Sequence, residues 1–302
     1  MKTADSVKRK NILFKNRIVM PPMATGKATS DGKVSEEILS YYAEKTGCGL
    51  FSAVITEHAY VLKEGKAHKG QMSVAQDDDV EGLTELARVI RRNGALAILQ
   101  ISHAGSAAKA EVTGMPPVAP SEIRHPGGKN TEMPRALSVN AIEDLKKAFV
   151  SAAGRAKKAG FDGVELHSAH GYLLDQFLSP LSNRRMDLYG GEILNRVRLH
   201  TDLIREIKEM YGEKFAVFIR MGASDYMPGG LTAASASKAA EAFEKAGADV
   251  IDVSGGMCFY TISDTRPGYF RDAARPVYDA VRIPVILTGA LKALRMRKMC
   301  SA

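Results

Sequence analysis

The sequence predicts an α/β fold, a (β/α)8 TIM barrel, and three observations support that prediction. Short apolar segments alternate with amphipathic segments along the chain, which is typical of parallel strands joined by helices. Two similar sequence segments, at residues 158–164 and 245–251, each begin with Lys-Ala-Gly at a predicted helix end and continue into an apolar strand. Polar side chains follow most of the apolar segments, at the strand ends where the active sites of such barrels lie.

Seven segments are predicted to be strands. They are short and rich in Val, Ile, Leu and Phe, as strands buried on both faces should be. The predicted strands are 17–20, 50–57, 96–101, 163–167, 216–221, 250–253 and 284–288. Only an atypical basic tail, 290–302, follows the seventh. We therefore expect a barrel that is incomplete at its C-terminus, with strand eight and its helix missing.

Six amphipathic segments between these strands are predicted to be helices. They span 35–46, 80–93, 141–159, 194–211, 233–246 and 273–280. Asn140 and Glu143 match a capping box that would open the third of them. The long loop 104–139 contains five prolines. It is expected to be either a lid or binding element, or a surface loop without a role in binding. Residues 1–302 then form a single domain.

Composition and charge limit the class of protein. No apolar run approaches the ~18 residues of a membrane span, and the N-terminus lacks the apolar core of a secretion signal, so we expect a cytoplasmic protein with no membrane partner. The net charge of +8 sits largely at the ends: residues 1–17 hold six basic residues and one acid, and residues 288–302 hold four basic residues and no acid. A near-neutral body predicts no nucleic-acid partner. The expected partner is a small-molecule substrate, and a homo-oligomer stays open.

A metal site is not expected. The three cysteines are far apart and form no C-x-x-C pair. His167 and His170 are three residues apart, but the helical H-E-x-x-H pattern and a third ligand are absent. Hydrogen bonding is the better use of the two imidazoles, although a structural role for one of them stays open.

The segment His167-Ser-Ala-His170-Gly-Tyr172 follows the fourth predicted strand and carries the candidate catalytic groups. Neutral imidazoles can donate hydrogen bonds to a carbonyl or anionic oxygen. A phenol with a pKa near ~10 gives up its proton only to a strongly basic partner, such as a developing enolate. The three side chains could together bind and protonate a carbonyl-type substrate.

Arg220 and Gln100 end two other predicted strands. A guanidinium group can offset charge on an electron-rich ring or a carboxylate, and a glutamine amide offers a donor and an acceptor. Together they suit a uracil-like ring that accumulates negative charge, as a reduced flavin does. Ser254-Gly-Gly and Thr288-Gly289 follow the last two strands, where glycine-rich loops let backbone N–H groups approach a phosphate. Taken singly, each of these residues is equally compatible with a structural role.

From about Asn16 to Thr288 the chain resembles the old yellow enzyme, or NADH:flavin oxidoreductase, family of FMN-dependent barrels that reduce activated alkenes. The resemblance implies FMN as cofactor and NADH or NADPH as reductant. The motifs that carry it are Asn16-Arg-Ile-Val-Met-Pro-Pro-Met23, Ile98-Leu-Gln-Ile-Ser-His-Ala-Gly105, His167-Ser-Ala-His-Gly-Tyr172, Phe177-Leu-Ser-Pro-Leu-Ser-Asn-Arg184, Asp187-Leu-Tyr-Gly-Gly191 and Asn195-Arg196.

The resemblance also implies roles for particular residues. His167 and His170 would hold the carbonyl oxygen of an enone-like acceptor, and Tyr172 would protonate its α-carbon after hydride from reduced flavin reaches the β-carbon. Those implied to contact the cofactor are Pro22, Met23, Ala24 and His58 at the flavin ring, Gln100 and Arg220 at its pyrimidine edge, and Ser254 and Gly289 near the phosphate.

The chain departs from the family pattern at three places. Ala24 stands where relatives often carry Thr or Cys, Ala290 replaces a glycine, and the strand-eight segment with its phosphate-binding Gly-Arg pair is missing. Two alternatives therefore stay open. One is a non-catalytic truncated barrel, or a split-assembly fragment, that is unable to hold FMN. The other is a flavin-free barrel lyase that uses the histidines.

Overall fold

The computed structural model describes residues 3–9, 12–260, 262–264 and 266–291. The strands in these residues are β1 (Val7–Arg9), β2 (Ile12–Phe14), β3 (Val19–Met20), β4 (Ala53–Ile55), β5 (Ala59–Tyr60), β6 (Leu96–Ser102), β7 (Val118–Ala119), β8 (Arg135–Ala136), β9 (Gly163–Ser168), β10 (Ala216–Gly222), β11 (Val250–Ser254) and β12 (Val285–Leu287). Each of the seven predicted strands is present.

The helices lie between the strands in chain order. They are α1 (Glu36–Thr46), α2 (Val80–Arg91), α3 (Ala110–Thr113), α4 (Val139–Lys158), α5 (Leu173–Leu178), α6 (Ile193–Arg196), α7 (Arg198–Tyr211), α8 (Ala233–Ala246) and α9 (Arg271–Ala280). Each step from one barrel strand to the next therefore includes at least one helix, as parallel pairing requires.

One curved sheet forms the barrel wall in the order β12-β11-β10-β9-β6-β4-β3, with β5 also paired to β6. Its pairings are all parallel. The carboxyl ends of the strands consequently meet on one side of the molecule, and this confirms the predicted barrel architecture.

Apolar side chains fill two layers of core. Between the sheet and the helices, residues such as Leu86, Phe149 and Phe243 are fully buried. A second cluster fills the barrel interior near the amino ends of the strands, where Phe14 packs with Ile98 and Phe218. The rings of Phe14 and Phe218 lie 6.2 Å apart. The antiparallel β1–β2 hairpin thus plugs this end of the barrel, and the carboxyl end is left for the site.

The wall is open between β3 and β12 in the residues that the structure describes. These strands end the sheet on either side, and a cavity of about 900 Å³ lies between them. Its lining includes Val19 and Pro21 from one edge and Val285, Thr288 and Gly289 from the other. From residue 292 onward, the predicted basic tail lies outside the described residues.

Three local predictions need correction. Helix α4 begins at Val139, because the extended residue Ser138 caps it by accepting a hydrogen bond from the Ala141 N–H at 3.1 Å. The proposed capping box at Asn140 was therefore wrong. The predicted helix 194–211 is broken at Val197, whose φ and ψ of −91° and 0° separate α6 from α7. The predicted loop 104–139 contains α3 and the short parallel pair of β7 and β8.

Candidate active site

The end of β9 and the turn after it carry the candidate catalytic residues. His167 lies at the end of the strand, and His170 and Gly171 both have positive φ angles, of 60° and 71°. This conformation is uncommon for a residue other than glycine, so the surrounding contacts must hold it. The His170 N–H donates to the Gly255 carbonyl at 3.0 Å, and the Gly171 N–H donates to the buried Asp175 carboxylate at 2.8 Å. The turn directs Tyr172 back toward the strand end.

Four side chains named from the sequence meet as a cluster of rings. His167 lies 4.9 Å from Tyr172 and 5.1 Å from His170, measured between ring centroids. His58, from the segment after β4, lies 5.2 Å from Tyr172 and 5.7 Å from His167. The structure therefore brings the three predicted catalytic residues and one predicted flavin neighbour together at the carboxyl end of the barrel.

Burial keeps these rings uncharged. It lowers the pKa values of His167 and His170 well below the usual range, helped by the cations Arg220 and Lys129. It also lowers the pKa of His58 to about 3. Burial raises the pKa of the Tyr172 phenol to about 12, with Tyr260 as a second cause. At neutral pH the site presents neutral imidazoles and a protonated phenol, which can donate hydrogen bonds to a carbonyl oxygen.

A polar chain links His170 to Arg220. The His170 Nε2 atom lies 2.8 Å from the Ser254 hydroxyl, which also accepts from Arg220 Nη2 at 3.4 Å. Ser254 is buried and engaged by these two partners. Its hydroxyl therefore orients a histidine and an arginine at the end of β10 and β11.

Two buried acids on the strands that flank Arg220 were not predicted from the sequence. Gln100 Nε2 donates to Glu165 Oε1 at 2.8 Å, and Arg220 Nε lies 3.3 Å from Asp252 Oδ2. Burial raises the pKa of Glu165 well above its usual range, with Asp252 as a second cause, and raises that of Asp252 to about 6 against the opposing effect of Arg220. Both acids could have been identified as candidate site residues from the sequence, because each interrupts an otherwise apolar strand, in Val-Glu-Leu and in Ile-Asp-Val.

The remaining predicted flavin contacts also follow strand ends. After β3 come the half-buried Pro22, the 55% exposed Met23 and the exposed Ala24. Gly289 follows β12 with a φ of 111°, and a Cβ atom there would lie 3.2 Å from the Tyr269 ring. A side chain at residue 289 would therefore be strained and crowded, so glycine suits this turn.

The donor set fits a flavin. The buried His167 Nδ1 atom has no hydrogen-bond partner among the residues described. The guanidinium of Arg220, whose Nε atom faces Asp252, is a buried cation at the same strand ends. An unpaired buried nitrogen and a guanidinium are suited to an electron-rich ring with acceptor atoms along its edge. No cluster of three metal-ligating side chains occurs in the described ranges. Nor is any helix there both long and apolar enough for a membrane span.

Comparison with known proteins gives a family for this chain. The profile of the NADH:flavin oxidoreductase / NADH oxidase family matches residues 6–298. An NADH oxidase of Thermoanaerobacter brockii is 39% identical over 289 residues, which cover 93% of this chain and 44% of that protein. An NADPH dehydrogenase of Bacillus cytotoxicus is 38% identical over 282 residues, covering 93% and 78%. The chain thus spans less than half the length of the first relative.

Solved structures agree with the barrel. A 2-naphthoyl-CoA reductase in complex with 2-naphthoyl-CoA superposes with a TM-score of 0.87 at 27% identity, over 94% of this chain and 46% of that one. An old yellow enzyme homologue of Zymomonas mobilis gives a TM-score of 0.84 at 26% identity, over 97% and 83%.

Proposed function

The chain belongs to the NADH:flavin oxidoreductase / NADH oxidase family, and from this premise we propose that it transfers hydride to an activated, enone-like alkene. FMN, when bound, supplies that hydride after a nicotinamide nucleotide has reduced it. The observation that carries the proposal is the meeting of His167, His170 and Tyr172, with neutral imidazoles and a protonated phenol, at the carboxyl ends of the barrel strands.

The residues proposed to hold FMN lie at the carboxyl ends of the barrel strands or in the segments that follow them. Arg220 is a buried cation that can offset the negative charge of a reduced flavin, and Gln100 lies on β6. Pro22, Met23, Ala24 and His58 would line the ring, and Gly289 would lie near the phosphate. The contacts of Ser254 with His170 and Arg220 support an orienting role for its hydroxyl instead of a phosphate contact.

The chain itself binds the acceptor and moves one proton. His167 has an unpaired buried nitrogen and can donate a hydrogen bond to the acceptor's carbonyl oxygen, which stabilises the charge of the developing enolate. His170 is held beside it by Ser254. The Tyr172 O–H bond then breaks, a C–H bond forms at the α-carbon, and water restores the proton to the phenolate.

The name of one structural neighbour supports this acceptor class. A 2-naphthoyl-CoA reductase, solved in complex with 2-naphthoyl-CoA, is similar in fold to this chain. An enone and an unsaturated acyl thioester share a carbonyl group conjugated with a carbon–carbon double bond. We therefore propose conjugation to a carbonyl as the common requirement for the acceptor.

Reconstitution of the full chain tests the proposal. The purified protein is incubated with FMN, freed of unbound flavin, and assayed for NADPH oxidation with and without cyclohexenone. We expect a retained flavin spectrum and acceptor-dependent oxidation. Colourless protein that leaves NADPH unoxidised in the presence of the enone would contradict the proposal.

A second candidate is favoured by the open wall between β3 and β12, because the 900 Å³ cavity there includes Gly289 in its lining. In this alternative the chain is part of a split assembly and holds FMN only when a further polypeptide segment fills the cavity. Thermal unfolding separates the two candidates. Cooperative unfolding of the isolated chain would argue against the split assembly, whereas rescue of folding by a supplied strand-eight peptide would favour it.

A further inference from the structure

Lys129 lies beside Tyr172, although it comes from the long segment between β6 and β9. Its Nζ atom is 4.3 Å from the centre of the Tyr172 ring and 4.4 Å from that of Phe259. The same ammonium group donates a hydrogen bond to the His170 carbonyl at 3.0 Å. Within the described part of the chain, Lys129 forms no ion pair with a carboxylate. Its charge is therefore directed at two aromatic faces and one carbonyl.

The segment that carries Lys129 is anchored on the turn at His170 and Gly171, which follows β9. The His125 ring donates from Nε2 to the Gly171 carbonyl at 2.8 Å and stacks on Phe259 with 5.9 Å between ring centroids. The buried Asn130 side chain donates to the Ala108 carbonyl. Residues on both sides of Lys129 are thus fixed by hydrogen bonds, so the position of its side chain is built into the fold.

We propose that Lys129 is a positioning residue for Tyr172, and that its ammonium group stabilises the phenolate which remains after Tyr172 gives up its proton. A cation over the face of a neutral phenol is already attracted to it. The attraction grows when the ring becomes negative, because a full charge then replaces the weaker quadrupole. The interaction is therefore stronger after proton transfer than before it, as a contribution to rate requires. This inference rests on the proposed role of Tyr172 as proton donor.

The other groups around the two side chains do not supply this charge. His58 and His167 face the Tyr172 ring as neutral imidazoles, and Tyr260 raises the pKa of Tyr172. Lys129 donates to the carbonyl of His170, and it interacts electrostatically with the ring of His125 and the carboxyl of Asp175. Burial lowers the pKa of Lys129 to about 8, against the opposing effect of Asp175. The ammonium charge is therefore present at pH 7 and is lost as the pH rises through about 8.

A titration without FMN or substrate tests the inference directly. Tyrosines are replaced biosynthetically by 3-fluorotyrosine, whose phenol is more acidic, and the ¹⁹F resonance of residue 172 is identified by its absence in Tyr172→Phe. The chemical shift of that resonance is followed against pH, and the pH at the midpoint of its titration is compared between two variants. Lys129→Arg keeps its charge at all pH values studied, and Lys129→Met has none. We expect the midpoint in the arginine variant to lie lower by about one pKa unit or more, a tenfold change in the acid constant.

A matched control is available elsewhere on the chain. Lys157 also combines a hydrogen bond to a backbone carbonyl, that of Tyr211 at 2.8 Å, with a position 5.8 Å from the Tyr211 ring. Replacement of Lys157 by Arg or Met should leave the residue 172 midpoint unchanged. If Lys129→Met does not fold, the unsubstituted lysine above pH 8 serves as the uncharged reference.

Turnover gives a second readout. At pH 7, Lys129→Met should lower kcat with cyclohexenone about tenfold or more with little change in KM, and Lys129→Arg should restore it. Activity of the parent protein should decline as the pH rises through about 8, and that decline should be absent in Lys129→Arg. Equal ¹⁹F midpoints in the arginine and methionine variants would overturn the inference, whatever the fate of the proposed alkene reduction, because this titration requires neither flavin nor acceptor.

Discussion

Glu165 and Asp252 show how single residues within the barrel set its electrostatics. Both carboxyls are buried, and Arg220 is the cation beside them. Two ionised acids and one guanidinium would leave a net negative charge in a medium that solvates it poorly. Retention of a proton by one acid removes that charge. Asp252 contacts the arginine, so Glu165 is the better candidate for the protonated member.

Replacement of Glu165 by glutamine tests this assignment through stability. The pKa of Glu165 is raised in the folded protein, so the folded state holds a proton that the unfolded state has released above about pH 4.3, and stability falls as the pH rises toward the folded pKa. The glutamine amide has no such proton to lose. We expect Glu165→Gln to match the parent near pH 4 and to exceed its free energy of unfolding by roughly 1–3 kcal/mol at pH 8.

The measurement is urea unfolding at several pH values. Glu209→Gln, at an exposed position on α7, is the matched control and should not alter the pH dependence. A difference between Glu165→Gln and the parent that stays constant from pH 4 to pH 8 would show that Glu165 does not carry the proton.

Capping decides where α4 begins. Ser138 and Asn140 are both residues that favour the N-cap position, and sequence spacing selected Asn140 because Glu143 follows it by three. In the structure Ser138 has an extended backbone and accepts from the Ala141 N–H, whereas Asn140 lies within the helix. The local pattern could not separate two nearby candidates, because Leu137, which is buried, fixes how the chain enters the helix.

Alanine substitutions separate these two positions. Ser138→Ala leaves a helix N–H group without its acceptor and should lower the free energy of unfolding by about 1 kcal/mol. Asn140 is exposed and lies inside the helix, so Asn140→Ala should be neutral or slightly stabilising. Thermal unfolding of the two variants measures the difference, and a larger loss for Asn140→Ala would restore the capping box.

The β1–β2 hairpin closes the amino end of the barrel. Phe14 enters the interior and contacts the cluster that includes Phe218, whereas its neighbour Leu13 is 59% exposed. Because the hairpin fills one end, the carboxyl end is where a ligand can enter.

Truncation of the Phe14 side chain, which fills this end of the barrel, should destabilise the protein. Phe14→Ala leaves a cavity against Ile98 and Phe218 and should lower the free energy of unfolding by about 3–5 kcal/mol. Leu13→Ala, the adjacent exposed position, should have little effect. Denaturant unfolding checks both, and similar losses in the two variants would mean that the hairpin does not seal the core.

Much of this organisation could be predicted from the sequence, because its signals are local. The seven barrel strands follow from apolar segments of strand length, and the strand-end location of His167, Arg220 and Gly289 follows from parallel pairing. The polar network could not be predicted in the same way. Its contacts join residues that are far apart in sequence, so they depend on the packing of the barrel. The pairs are Glu165 with Gln100, Asp252 with Arg220, and Lys129 with Tyr172.

In the proposed reaction, the strand ends hold a reduced flavin next to an acceptor which Tyr172 protonates. The most direct measurement is anaerobic rapid mixing of NADPH-reduced, FMN-loaded protein with cyclohexenone, in the parent and in Tyr172→Phe. We predict flavin reoxidation by the enone in the parent and a rate about tenfold or more slower in the variant. Flavin that stays reduced in the parent after mixing, or equal rates in the two proteins, would rule out protonation of the acceptor by Tyr172.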